Sequence, residues 1–147
     1  MGFKYKLPLA SFTLATATSN LTVIPGAARA LKITEIYLAG TGAASASNDI
    51  GLYRVGTAGV TGATPITAAP DNAAAPAQSF TNFTAYTTQP VVGTKILDMP
   101  VNSNGGVFYY RPMKGDEIEI AAGSTGVTIR SVSGTGTAAG WITLEEI

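Results

Sequence analysis

Glycine, proline and threonine break nearly every window of this chain, so no segment keeps the uninterrupted 3.6-residue apolar period of a long helix. Even the alanine-rich run at 73–77 contains Pro76. A proline there removes a backbone donor and clashes with the preceding turn. Short β-rich runs recur instead, separated by Gly, Pro, Asn and Ser. Candidate strands lie at 11–16, 20–24, 31–39, 50–55, 79–85, 94–99, 106–111, 116–121, 126–132 and 139–145. Many short strands with short connections imply an all-β chain, an antiparallel β-sandwich of jelly-roll-like build. A chain of 147 residues suits one domain. It buries roughly 68–70% of its unfolded surface, enough for a core without staples.

Side-chain alternation then assigns faces. In DEIEI, Ile118 and Ile120 point one way, while Glu117 and Glu119 point the other. That is a strand with one wet face. In LKITEIYLA, Leu31 and Ile33 share a face, but Ile36 and Leu38 fall on the opposite one. Either both faces are covered, the second by another subunit, or a β-bulge shifts the phase. On the first reading Ile36 and Leu38 are interface residues. Trp141, the only tryptophan, is expected in the core as a large apolar side chain, with an exposed interface anchor as the alternative. Residues 9–147 are read as the sandwich domain, with a long surface loop at about 56–78, rich in Gly, Ala, Thr and Pro.

Residues 1–8 read as an extended N-terminal arm. Phe3, Tyr5 and Leu7 alternate with Lys4 and Lys6, giving one apolar and one basic edge. Ordering eight backbones costs roughly 8–16 kcal/mol, and burying three such side chains returns roughly 4–9. The arm is therefore expected to be mobile until a partner takes its backbone hydrogen bonds, and Phe3, Lys4, Tyr5, Lys6 and Leu7 are candidate interface residues.

Several chemistries are closed off. The chain has no histidine and no cysteine, so Ser-His-Asp and Cys-His catalysis are impossible. Formal charge is +0, and the bases are spread with no cluster beyond Lys4 and Lys6, which argues against nucleic acid. No segment approaches the roughly 20 apolar residues of a membrane span, and no signal peptide is evident. Asn102 to Gly106 reads as a turn, because a strand-like Val-Phe-Tyr-Tyr follows where a phosphate loop needs a helix. Asp116, Glu117 and Glu119 read as turn and strand carboxylates, not as calcium ligands. Asn20 and Asn82 head N-x-T triplets that are read as chance matches. No catalytic residue, metal, cofactor or small-molecule substrate is expected. Charged residues are only 12% of the chain, against about 25% in typical domains. Such a surface favours coverage by partners.

The order of motifs carries a resemblance. LKITEIYLAGTG leads into GLYRVGTAGVTGATPITAAPDNAAAPA, then TTQP, then NSNGGVFYYRPMKGDEIEI, and finally WITLEEI. Over about residues 31–147 this resembles small tailed-bacteriophage virion proteins, the jelly-roll cement or decoration proteins of phage heads. The resemblance implies a clamp on the outer surface of an assembled capsid, self-associated as a homotrimer and bridging major capsid protein subunits. Two other classes are open. One is a receptor- or carbohydrate-binding jelly-roll module of a phage tail or head fibre. The other is a polysaccharide-cleaving enzyme with paired carboxylates. Tyr and Trp grouped at one rim would favour sugar binding. A sticky arm with a broad bland face would favour cement.

Overall fold

The computed structural model describes residues 2–57 and 64–147. These residues form no helix and thirteen strands. Eight are long: β1 (Phe3–Thr13), β2 (Thr18–Ile24), β3 (Leu31–Thr41), β4 (Ser47–Thr57), β8 (Val91–Asp98), β10 (Asn104–Tyr110), β12 (Val127–Ser133) and β13 (Thr137–Glu146). Five are short: β5 (Thr64–Ile66), β6 (Ala69–Pro70), β7 (Thr81–Thr84), β9 (Val101–Asn102) and β11 (Ile118–Ile120). Of the long strands, the first pairs with the last, the second with the seventh, the third with the sixth and the fourth with the fifth, all antiparallel. A long hairpin folded and rolled in this way gives two sheets, ordered β10-β3-β13-β1 and β2-β12-β4-β8. That is the jelly-roll sandwich expected from the sequence.

The core lies between the sheets and is one continuous cluster, including Leu21, Leu31, Ile33, Ile50, Leu52 and Leu144. The phase change in β3 has a local cause. Thr143 of β13 faces Glu35, while Leu144 faces Ile33, so Thr34 is an extra residue in the ladder. Its hydroxyl donates to the Thr143 carbonyl (3.2 Å). This β-bulge returns Ile36 and Leu38 to the face of Leu31 and Ile33, and all four are fully buried. Ile36 and Leu38 are therefore core residues, not interface residues. The two-faced pattern is no sign of a second subunit.

The arm expected at residues 1–8 is corrected too. From Phe3 onward it is the first part of β1, in register with β13 from Phe3–Glu146 to Pro8–Trp141. Tyr5 and Leu7 are buried in the core. Tyr5 packs edge-on against Phe80 and donates its hydroxyl to the Pro76 carbonyl (2.8 Å). The partner needed to take the backbone hydrogen bonds is β13 of the same chain, so no second molecule is required. Phe3, Lys4 and Lys6 remain at the surface.

The loop expected at about 56–78 is shorter. Residues 58–63 lie outside the described residues, while β5 adds to β7 and β6 adds to β1. Asn20 and Asn82 are buried, and Asn20 donates to the Ser131 hydroxyl (2.7 Å), so neither triplet presents a free amide.

Candidate functional site

Outward-facing residues of the β1-containing sheet form its most distinctive surface. Tyr109 of β10 sits opposite Tyr37 of β3, Tyr37 opposite Trp141 of β13, and Trp141 opposite Pro8 of β1. Neighbours in such a row have Cβ atoms about 4.5–5.5 Å apart, so aromatic side chains must pack. Tyr37 and Trp141 stack with ring centroids 4.2 Å apart, and Tyr109 meets Tyr37 edge-on at 6.4 Å. Lys6, arriving from the other side of β13, places its ammonium 5.3 Å from the indole centroid. Trp141 is thus half-buried on the outer face, not in the core as the sequence suggested. Position 141 alternates with the buried Ile142, and that phase sends it outward.

Glu35 locks the row. One carboxylate oxygen accepts from Trp141 Nε1 (2.5 Å) and the other from the Tyr109 hydroxyl (2.7 Å). These two hydrogen bonds, the indole's first, hold the Glu35 carboxyl below the usual carboxylate range, helped by the nearby Lys6 and Arg111 charges. The same bond pushes the Tyr109 hydroxyl up. Three residues at the centre of this surface, Glu35, Tyr37 and Tyr109, are not candidate site residues from sequence, and Trp141 takes the exposed position that was the alternative to the core. Their signal exists only once strand register is known, and the bulge hides the outward phase of Glu35.

Beside the aromatic row the sheet face is hollowed twice. One hollow of about 710 Å³ is lined by Lys4, Lys32, Arg111 and Lys114 with Glu117 and Glu145. The other, about 210 Å³, is lined by Lys4, Lys6 and Arg111 with Glu35 and Asp71. Five of the nine Lys and Arg residues therefore converge here, although they are scattered in sequence. The only ion pairs among the described residues join Lys95 to Asp98 and Asp49, so none of the five is ion-paired. The face is mixed in sign, with Glu35 and Glu117 already committed. The Glu117 carboxylate accepts from the Gly115 amide (2.7 Å), and amide hydrogen bonds at Glu117 itself and at Gly115 hold it below the usual range. Asp116 closes the same turn through its amide to the Met113 carbonyl. Glu119 lies exposed opposite Lys32. Of the expected interface residues, the structure brings only Lys4 and Lys6 to this face, and Phe3 stands at the strand's start beneath the Arg29 guanidinium.

The stretch read as a turn is one. Asn102 Oδ1 accepts from the Asn104 amide (2.9 Å), and Gly105 takes φ 74°. On the opposite sheet, Tyr86 covers β2, and its single hydroxyl proton is shared between Thr22 Oγ1 (2.5 Å) and the Phe83 carbonyl (2.7 Å). Burial pushes its hydroxyl up to about 12.

By the criteria above, the absence of a free arm leans away from cement, while the aromatics cross a sheet face instead of gathering at one rim. Ring geometry leans away from sugar binding too. A pyranose stacks on an open ring face, yet Tyr37 takes one face of Trp141 and Lys6 the other. Two of the polar tips a sugar would bond, the indole N–H and the Tyr109 hydroxyl, are spent on Glu35. Comparison with protein families, curated proteins and solved structures gives no match for this chain.

Proposed function

We propose that this chain is a structural virion protein, a decoration or cement protein that seats on the outside of an assembled phage head and bridges major capsid subunits. The observation that carries the reading is the outer face of the β1-containing sheet. It combines a packed row of Tyr109, Tyr37 and Trp141, tied at both ends by Glu35, with five cations that form no ion pair among the described residues. Tyr, Trp and Arg are the residues enriched at protein–protein hot spots. A row whose rotamers are already fixed loses little side-chain entropy on docking. Exposed Lys and Arg then meet carboxylates of the shell, steering encounter more than adding affinity. The motif order of residues 31–147 supplies the phage setting, and the jelly roll is compatible with it without requiring it.

A receptor- or glycan-binding module is the second reading, favoured by the same aromatic grouping and opposed by its covered ring faces. One experiment separates the two. Undecorated heads are titrated with the parent chain, with Tyr109→Glu, with Lys6→Glu and with Lys95→Glu, the last on the other sheet. Pelleted occupancy should fall at least tenfold for the first two variants and stay unchanged for Lys95→Glu. Equal occupancy for all, or displacement of the parent by soluble glycans, would overturn the reading.

A further inference from the structure

The edge strands of the two sheets are not alike. Three of the four carry features that block the addition of another strand. β6 has two residues and includes Pro70, and β5 has three and includes Pro65. β8 is longer, but it carries Lys95 and Asp98, and its register against β4 shifts three times. Short length, proline, charge and irregular register are the devices that blunt an exposed edge. β10 shows none of them over its last four residues. Val107–Tyr110 pair with Ala39–Ile36 in unbroken register and contain no proline and no charge. No strand lies beyond them among the described residues.

Successive residues of an antiparallel strand turn their N–H and C=O alternately to one neighbour and to the other. With β3 on one side only, half of the residues in Val107–Tyr110 direct both groups outward. Outside the ladder with β3, no backbone hydrogen bond reaches these residues. Such an array is matched by another extended backbone and by little else. The side chains say what that backbone carries. Val107 and Tyr109 stand on the outer side at 58% and 51% exposure. Phe108 and Tyr110 alternate with them and pack on the core while only partly buried, and so do Ile96 and Leu97 of β8 on the facing sheet. The rim of the sandwich at β10 is therefore apolar and half covered. It suits a segment whose inward side chains are apolar at alternate positions.

We propose that β10 is a strand-addition site, where an extended, uncharged segment of another protein pairs along Val107–Tyr110 and lays its inward apolar side chains over Phe108 and Tyr110. A second copy of this chain fits the edge less well. Two β10 strands paired antiparallel about Val107–Tyr110 would set the turn that holds Arg111, Lys114, Asp116 and Glu117 opposite the other copy's Asn104 to Gly106. That is where the register of β10 is already broken. A lone segment ends where the ladder ends and meets neither the charged turn nor the bulge. Its main-chain hydrogen bonds give affinity, and its alternate side chains give selectivity. The inference concerns the free protein and does not rest on the shell-binding reading.

The probe is a hexapeptide alternating valine with threonine, blocked at both ends and titrated into the isotope-labelled protein under nuclear magnetic resonance. Amide shifts should concentrate at Val107–Tyr110, and the alternate amides there that exchange freely without peptide should become protected. Two N-methylated peptides separate ladder pairing from contact with the sheet face, one methylated on every valine and one on every threonine. One set of methyl groups meets the β10 edge and should weaken binding at least about tenfold, through lost hydrogen bonds. The other set points away and should leave binding unchanged. Val107→Lys, at an exposed edge position, should weaken binding to a similar degree with unchanged circular dichroism, while Val91→Lys on β8 should not. No shift at β10 up to millimolar peptide would overturn the proposal, and so would equal binding of both methylated peptides. A peptide-free protein that sediments as a dimer with its β10 amides already protected would give the edge to a second copy and overturn it as well.

Discussion

Leu7→Ala asks whether the N-terminal segment belongs to the core. Leu7 is fully buried and sits opposite Ile142 on β13. Its strand is held on both sides, by β13 and by the Lys6–Ala69 pairing with β6, so the cavity has little freedom to collapse. Deleting a buried leucine side chain costs about 2–5 kcal/mol. At this chain length each kcal/mol moves Tm by about 2–4 °C. A mid-range loss of about 3 kcal/mol therefore lowers Tm by about 6–12 °C. Lys4→Ala, three residues earlier on the exposed face, should stay within about 0.5 kcal/mol. Urea titration followed by Trp141 fluorescence and thermal melting by calorimetry give the two values independently. If Leu7→Ala melts within about 1 °C of the parent, as Lys4→Ala should, residues 3–9 are not packed in the core and β1 is wrongly placed. Deleting residues 1–8 extends the same logic. It strips β13 of half its partner and removes Tyr5 and Leu7, so the product should lose cooperative unfolding.

Glu35→Gln keeps the shape but can accept through only one oxygen, and on this half-exposed face it should cost roughly 1 kcal/mol. Because the Glu35 carboxyl is depressed in the folded state, its stabilisation is present above the ordinary carboxylate range and is lost as pH falls through the lowered value. The Tm gap between parent and Glu35→Gln should hold near neutrality and close in acid. Tyr86 runs the other way. With its hydroxyl pushed up to about 12, its contribution is full below the ordinary tyrosine value of about 10 and is lost as pH rises towards about 12. Ultraviolet titration should show at least one tyrosine ionising late, and Tyr86→Phe should remove it. Gly126→Ala should cost more than 1 kcal/mol in a urea titration, since φ is +88° and a Cβ there would meet the Val23 carbonyl.

What the sequence conveyed follows from what is local. Ten β-rich runs all have counterparts among the strands because breakers and alternation act within a few residues. Register is not local. Thr34 makes one extra residue in β3, and that shift alone turned Ile36 and Leu38 from core into apparent interface. The early strand is not legible locally, because the hydrogen bonds that offset the entropy of ordering residues 1–8 come from β13, more than 130 positions away. Size argues for Trp141 inside, but phase decides it, and phase sends it outward. Lys4, Lys6, Lys32, Arg111 and Lys114 look dispersed along the chain and meet only because β1, β3 and the turn after β10 share one sheet face.

The most direct test of the proposed role is to look for this chain in a cryo-electron microscopy reconstruction of phage heads to which it has been added. The account predicts sandwich-shaped density on the outer surface of the head, spanning neighbouring capsid subunits, with Tyr37, Tyr109 and Trp141 turned towards the shell. Heads that stay bare, or density on the head with that aromatic face turned to solvent, would contradict it.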